Sequence, residues 1–167
     1  SNNYNSSDDS LTEDDEDEIS KDMLYSHYNN RYVIINYLGR GTFCRVWMVC
    51  DVIENKFYAM KIFFNDSTEE ALNEIKKSSL INSDKVIKLV DNFINNGKYC
   101  IVYELLSFTL MDVLDKFKNL DLQILKGIIK KMFVAIHDLH SLNIIHCDIK
   151  TENMMFSYKS KYINFLE

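Results

Sequence analysis

The residues best suited to chemistry lie near the end of the chain, in a His-Cys-Asp-Ile-Lys-Thr-Glu-Asn segment. This segment holds a carboxylate (Asp148), an amine (Lys150) and a carboxamide (Asn153) at fixed spacing, after a long amphipathic stretch. Phosphoryl transfer uses these three kinds of group at one point, to orient a hydroxyl, to offset negative charge and to hold a metal ion. Taken alone, the segment could also be a polar loop, or a metal site formed by His146, Cys147 and Asp148.

A glycine-containing turn earlier in the chain is suited to holding phosphates. Residues 32–38 are rich in β-forming side chains and lead into Gly39-Arg40-Gly41, and a second predicted strand covers residues 44–51. Glycine has no Cβ, so backbone N–H groups in such a hairpin can approach phosphate oxygens closely. Two glycines in a hairpin are a weak indication of nucleotide binding when taken alone.

A third predicted strand, residues 57–64, carries Ala59 and Lys61 on the same side of the sheet. A small residue can lie under a flat purine while the amine two positions later reaches the phosphates. A lysine on the inner side of a sheet needs a carboxylate partner. Glu74 can supply it from the following helix. Two alternatives are open: Glu69 or Glu70 could pair with Lys61, or Glu74 could be an ordinary exposed charge on the helix.

The remaining pattern predicts an α+β fold with a five-stranded antiparallel sheet and one covering helix. Ser67, with Glu70 three residues later, indicates a capped helix start, and Leu72, Ile75 and Ser79 then share one face. Two more strands, residues 87–93 and 99–104, flank an Asn-Asn-Gly turn. Helices are expected over residues 109–117 and 122–142.

The last of these helices has an unusually wide apolar face. At about 100° per residue, its apolar residues cover roughly 180°, whereas a surface helix needs an apolar stripe only somewhat wider than about 100°. We therefore expect the helix to lie at the centre of a helical lobe of which this chain contains the first part. The residues concerned are Ile124, Leu125, Ile128, Ile129, Met132, Phe133, Ile136 and Leu139.

Charge and composition indicate an intracellular protein, cytoplasmic or nuclear. The 167 residues carry a net charge of -6, but residues 1–22 contain nine acids against Lys21, a net of -8, so the remainder carries +2. We expect residues 1–27 to be an acidic disordered tail, with no direct nucleic-acid partner and no membrane partner. The four cysteines show neither metal-ligand spacing nor a disulfide framework, as in a reducing compartment. The oligomeric state is not indicated.

In this order and spacing, the motifs resemble the protein kinase family over about residues 28–157. The resemblance implies a protein-kinase-like fold, with the N-lobe and hinge in residues 28–106 and a partial C-lobe in residues 107–167. It implies ATP and Mg2+ as cofactors, a protein substrate, Asp148 as the catalytic base, Lys150 as the charge-offsetting cation and Asn153 as a metal ligand. The residues that it places around ATP are Leu38, Gly39, Arg40, Gly41, Thr42, Phe43, Cys44, Val46, Ala59, Lys61, Glu74, Tyr103, Glu104 and Leu106.

Within that family, Lys150 two positions after Asp148 resembles serine/threonine kinases. A narrower likeness is to the SR-protein kinases, which phosphorylate serines in Arg-Ser-rich splicing factors. Residues 162–166 also resemble the start of the spacer that those kinases insert before the activation segment. The matching stretches are Arg31-Tyr32-Val33, Val46-Trp47, Ala59-Met60-Lys61, Glu70-Ala71-Leu72-Asn73-Glu74-Ile75, Leu89-Val90-Asp91-Asn92-Phe93 and Ile145-His146-Cys147-Asp148-Ile149-Lys150.

The sequence departs from the kinase pattern at several positions. Cys44 replaces the third glycine, Cys147 replaces the arginine that would pair with a phosphate on the activation loop, and Thr151 replaces a proline. No Asp-Phe-Gly follows Asn153. We therefore expect the N-terminal portion of a kinase, with poor phosphoryl transfer by this chain alone. A catalytically inactive module that binds nucleotide or protein, and a purely structural fragment, are the alternatives.

Overall fold

The structure is a computed structural model that describes residues 21–157, and it has the α+β fold predicted from the sequence. One helix lies between the fourth and fifth strands, and two more helices and a 3-10 turn follow the sheet. None of the helices in the described residues has the length and apolar character needed to cross a membrane. The strands are β1 His27–Tyr28, β2 Tyr32–Arg40, β3 Cys44–Asp51, β4 Lys56–Phe63, β5 Leu89–Asn95 and β6 Lys98–Glu104. The helices are α1 Thr68–Leu80, α2 Leu110–Lys116 and α3 Leu122–Ser141, and the 3-10 turn is Thr151–Asn153.

The sheet is antiparallel throughout, in the order β1-β2-β3-β4-β6-β5. The five predicted strands are present, and β1 is an additional two-residue strand at the edge. The predicted Asn-Gly turn joins β5 to β6, with φ of 49° at Asn96 and 77° at Gly97. Positive φ at both central residues defines a turn whose twist matches that of the flanking strands. The resulting register places Tyr103 between Leu89 on β5 and Ala59 on β4.

The segment before β2 is ordered where we predicted a disordered tail. Met23 and Leu24 pack against the buried cluster of the sheet, and the Tyr25 N–H donates to Ile34 O at 2.8 Å. The prediction is therefore wrong for residues 21–27, because two apolar side chains in a polar segment anchor it to the sheet. Residues 1–20 and the predicted spacer start at residues 162–166 lie outside the described residues.

The two faces of the sheet have different neighbours, because successive residues of a strand point to opposite sides. One face forms a buried cluster around Trp47. The other face contributes Phe63 and Tyr103 to a second cluster, which packs against Ala71 of α1. Lys61, two positions before Phe63, therefore lies on the face that α1 covers.

Helix α1 packs on this face with different residues from those predicted. Of the three residues predicted to share one face, Ile75 packs against the second cluster, but Leu72 is 49% exposed and Ser79 is also exposed. Ala71 is fully buried instead, with Ile75 beside it. The methyl side chain of Ala71 lets the helix lie close to the sheet, and this close approach decides which face points inward.

The start of α1 is predicted correctly, but its cap is not. Ser67 is the residue before the helix, yet its side chain makes no capping bond and its backbone has φ of -107° and ψ of 33°. A capping side chain needs an extended backbone to reach the N–H groups of the first turn. The Ser67 hydroxyl donates to Asp66 Oδ1 at 3.3 Å instead, so the predicted capping box with Glu70 is absent.

Helix α3 is held mainly near its C-terminal end. Ser83 Oγ, in the loop after α1, donates to Asp138 Oδ2 at 2.5 Å, and Leu139 is the one buried residue of α3 in the described part of the chain. The wide apolar face predicted from the sequence is present and mostly half-buried, whereas Ile129 and Phe133 on this face are 40% and 62% exposed.

Candidate active site

Lys61 and Glu74 form an ion pair between the sheet and α1. Lys61 Nζ lies 2.7 Å from Glu74 Oε1, and the two side chains are 33% and 28% exposed. The pair is therefore partly shielded from water but remains accessible to a ligand. The predicted choice of Glu74 as the partner, rather than Glu69 or Glu70, is confirmed by this contact.

Tyr103 adds a second contact to the same carboxylate. Its hydroxyl donates to Glu74 Oε1 at 2.7 Å and lies 3.0 Å from Ser78 Oγ, while Lys61 Nζ is 5.5 Å from the centre of its ring. Burial, and then the nearby charge of Glu74, raise the pKa of the Tyr103 phenol, which therefore stays protonated. The sequence analysis included Tyr103 among the residues around ATP but missed these bonds and missed Ser78. The available signal was the spacing of Ser78, one helical turn after Glu74.

The glycine hairpin between β2 and β3 leaves room for a ligand along its backbone. The Gly41 N–H donates to Cys44 O at 2.9 Å and closes the turn. Gly39 has φ of +154°, which L side chains rarely adopt, and nothing lies within 4 Å of where a Cβ would stand. Cys44 is buried, and burial raises the pKa of its thiol, so it is a packing residue here.

The residues predicted to cover ATP from this hairpin are exposed or half-buried. Arg40 lies with its guanidinium 5.4 Å from the centre of the Phe64 ring, and Val46 packs beside the cluster that contains Tyr103. The hairpin residues concerned are Leu38, Gly39, Arg40, Gly41, Thr42 and Phe43.

The predicted purine site lies between β4 and the end of β6. Ala59 pairs directly with Tyr103 across the two strands. The Glu104 N–H donates to Lys88 O at 3.1 Å. Any contact of the Glu104 backbone with a purine therefore falls to its carbonyl oxygen. Leu106 follows in an irregular, half-buried segment.

Asp148, Lys150 and Asn153 form one polar cluster. Asn153 Nδ2 donates to Asp148 Oδ2 and to Asp148 O, both at 2.8 Å, and Lys150 Nζ is 3.1 Å from Asp148 Oδ2. The bond from Lys150, and then the bond from Asn153, hold the pKa of the Asp148 carboxyl below its ordinary value. The carboxylate is therefore ionised at neutral pH, and its 61% exposure leaves it accessible to a substrate.

The local backbone explains how three side chains so close in sequence converge. Cys147 adopts a left-handed φ of 65°, an uncommon conformation that clusters at functional sites. Asn153 then ends the 3-10 turn, where its N–H donates to Lys150 O at 3.0 Å. The sharp bend at Cys147 and this turn fold the segment back on itself, so Asn153 returns to Asp148.

Backbone bonds fix the end of this loop to the segment that follows β6. The Ser107 N–H donates to Phe156 O at 2.8 Å, the Phe156 N–H donates to Phe108 O at 2.9 Å, and the Leu110 N–H donates to Met154 O at 2.7 Å. Residues 107–110 and 154–156 thus form a short antiparallel pair, which connects the loop that contains Asp148 to the predicted purine site.

The donor set beside Asp148 fits a hard divalent cation. Asn153 uses its amide nitrogen in both bonds to Asp148, so its amide oxygen takes no part in the cluster. Mg2+ prefers oxygen ligands and is usually bound by one or two protein oxygens together with substrate phosphates. The alternative site at His146 and Cys147 is not found, since in residues 21–157 no group of three or more His, Cys, Asp or Glu could hold a metal ion. His146 Nδ1 instead accepts a bond from the Asp148 N–H at 3.2 Å.

The predicted site residues thus form two groups, one around Lys61 and Glu74 and one around Asp148. Within residues 21–157, no hydrogen bond or ion pair joins these groups. A ligand that contacted both would have to be extended and negatively charged near Lys61.

Comparison with known proteins identifies the class of protein. The protein kinase domain family matches residues 32–165. The serine/threonine-protein kinase prp4 of Schizosaccharomyces pombe is 29% identical over 165 residues, covering 92% of this chain and 35% of that protein. The serine/threonine-protein kinase spk-1 of Caenorhabditis briggsae is 33% identical over 156 residues, covering 83% of this chain and 14% of that protein. Human dual specificity tyrosine-phosphorylation-regulated kinase 3 is 27% identical, covering 89% of this chain and 27% of that protein.

This chain belongs to the protein kinase domain family, whose members are ATP-dependent enzymes that use a divalent metal and act on proteins. It spans about a third or less of the length of these relatives. The expected kinase fold and the serine/threonine-kinase relationship are confirmed.

Proposed function

We propose that this chain carries the ATP site and the catalytic loop of a serine/threonine protein kinase. The observation that carries the proposal is the 2.7 Å pair of Lys61 and Glu74. A strand lysine held by a helix carboxylate, beside a glycine hairpin, is the arrangement by which kinases position the phosphates of ATP. Ala59 and Tyr103 lie on the same face and would border the purine.

The second group of residues would act on the protein substrate. Asp148, kept ionised by Lys150 and Asn153, would orient the serine hydroxyl and accept its proton. Lys150 would also offset charge on the transferred phosphoryl. Asn153 would contribute its amide oxygen to Mg2+, and that ion, when bound, would neutralise charge on the ATP phosphates.

For the substrate we propose serines in Arg-Ser-rich proteins. The support is the likeness to SR-protein kinases in the sequence segments at residues 59–61, 89–93 and 145–150. Residues 1–22, with a net charge of -8, are complementary to such a basic substrate.

The test is transfer of the γ-phosphate of Mg-ATP by the full-length protein to an Arg-Ser repeat peptide, compared with a neutral serine peptide. Replacing Asp148→Asn should lower transfer by about 100-fold or more, because a positioned base contributes at least that much. ATP affinity should change little in this variant. Asp115→Asn, an exposed acid on α2, is the control and should transfer normally. Transfer by Asp148→Asn at the unsubstituted rate would contradict the proposal, and equal use of both peptides would contradict the substrate class.

A second candidate function is nucleotide binding without transfer. It is favoured by the separation of the two groups of site residues, since within residues 21–157 no hydrogen bond or ion pair connects Lys61 and Glu74 with the Asp148 cluster. Mg-ATP would then raise the melting temperature of the protein in the same experiment, while neither peptide becomes labelled.

A further inference from the structure

The hydroxyl of Tyr103 lies at the centre of a hydrogen-bond chain that connects two strands to α1. Lys61 Nζ and the Tyr103 hydroxyl both donate to the same oxygen, Glu74 Oε1, at 2.7 Å. Ser78 Oγ lies 3.0 Å from the Tyr103 hydroxyl. Since the tyrosine proton is directed to the carboxylate, Ser78 is the donor in that contact, and the order is Ser78 to Tyr103 to Glu74.

Lys61 and Tyr103, which both bind the Glu74 carboxylate, differ in side-chain flexibility. Lys61 reaches Glu74 through a flexible four-carbon stem and is 33% exposed. Tyr103 is 4% exposed, and its ring has only two rotatable side-chain torsions. The hydroxyl is therefore the more rigid of the two partners, and it determines where the Glu74 oxygen lies when Lys61 binds to it.

The same hydroxyl also fixes the rotation of α1. Glu74 and Ser78 are four residues apart and lie on one side of the helix. Both contact a single atom of Tyr103, and Ala71 is fully buried on the same side, in the cluster that contains Tyr103. A rotation of α1 about its axis would break both bonds at once.

We propose that Tyr103 and Ser78 are positioning residues, which hold α1 at the rotation where Glu74 presents Lys61 to the ATP phosphates. The inference rests on the proposed function, in which Lys61 and Glu74 position ATP. It adds a contact made by the Tyr103 hydroxyl, so that ATP affinity depends on this oxygen atom as well as on the Tyr103 ring that would border the purine.

The first test compares Tyr103→Phe with Tyr99→Phe in the full-length protein. Both tyrosines lie on β6 and pack in the same cluster, but no bond is made by the Tyr99 hydroxyl in the described residues. Tyr103→Phe should weaken Mg-ATP binding by about 10-fold, as for one hydrogen bond to a charged group. Ser78→Ala should weaken it less, and Tyr99→Phe should leave it unchanged.

A double-mutant comparison distinguishes a positioning role of Tyr103 from a general loss of stability. In a Glu74→Ala background, Tyr103→Phe should have no further effect on Mg-ATP binding, because its target carboxylate is already absent. A full additional 10-fold loss in that background would overturn the proposal.

A measurement made without nucleotide tests the positioning contact independently of the proposed function. Amide hydrogen exchange in α1 should accelerate in Tyr103→Phe and Ser78→Ala but not in Tyr99→Phe. If the unsubstituted protein binds no ATP and this pattern is still observed, the proposed function fails and the positioning contact stands. If α1 exchanges in Tyr103→Phe as it does in Tyr99→Phe, the positioning contact is refuted.

Discussion

At the scale of single residues, the charge on Asp148 is controlled by two neighbours within the same loop. Lys150 lowers the pKa of Asp148 more than Asn153 does, and both residues favour the ionised form. The carboxylate must be ionised to accept a proton, so a lowered pKa keeps the site competent as the pH falls. Because the cluster is exposed, salt should weaken this effect.

Removing the Lys150 charge should therefore shift the acid limb of the pH profile of kcat/KM to higher pH. In Lys150→Met the pKa of Asp148 rises toward its ordinary value, so kcat/KM should begin to fall at a higher pH than in the unsubstituted protein. The measurement is kcat/KM against pH for both proteins at low ionic strength. Lys118→Met, outside the loop, should leave the limb in place. An acid limb that stays fixed in Lys150→Met would show that Asp148 is not the group being titrated.

At the scale of elements, the orientation of α1 decides whether Lys61 and Glu74 meet. Ala71 is fully buried against the sheet, whereas its neighbour Leu72 is 49% exposed. Ala71→Leu should overpack this contact, lower the free energy of unfolding by about 1–3 kcal/mol and weaken Mg-ATP binding by displacing Glu74. Leu72→Ala should change both quantities little. Urea denaturation and nucleotide titration of the two variants provide the check, and a larger loss in Leu72→Ala would mean that the opposite face packs inward.

The elements also show what a sequence can predict here. The β5–β6 turn was predictable because Asn96 and Gly97 encode a local conformation directly. The order of strands and helix along the chain followed from the sequence pattern, and the choice of Glu74 as the partner of Lys61 followed from the resemblance to kinases. The inward face of α1 was not predictable, because the choice between Ala71 and Leu72 depends on the distance between helix and sheet. The bonds of Ser78 and Tyr103 depend on the same tertiary contact, and the ordering of Met23 and Leu24 depends on a surface that the sheet provides.

At the scale of the whole molecule, the candidate site consists of two groups of residues held by different parts of the chain. The sheet and α1 hold Lys61 and Glu74, and the segment after α3 holds Asp148. The bonds between residues 107–110 and 154–156 connect the second group to the chain leaving β6. An ATP molecule bound at Lys61, with its terminal phosphate directed to the Asp148 cluster, would give both groups one function.

The central claim is that Lys61 binds the phosphates of ATP. Isothermal titration of Mg-ATP into Lys61→Ala and Lys56→Ala tests it most directly, because both lysines lie on β4 and each pairs with a glutamate. We expect Lys61→Ala to weaken binding by about 10- to 100-fold, as for a charge-assisted contact, and Lys56→Ala to bind normally. Equal affinity in the two variants would contradict the claim.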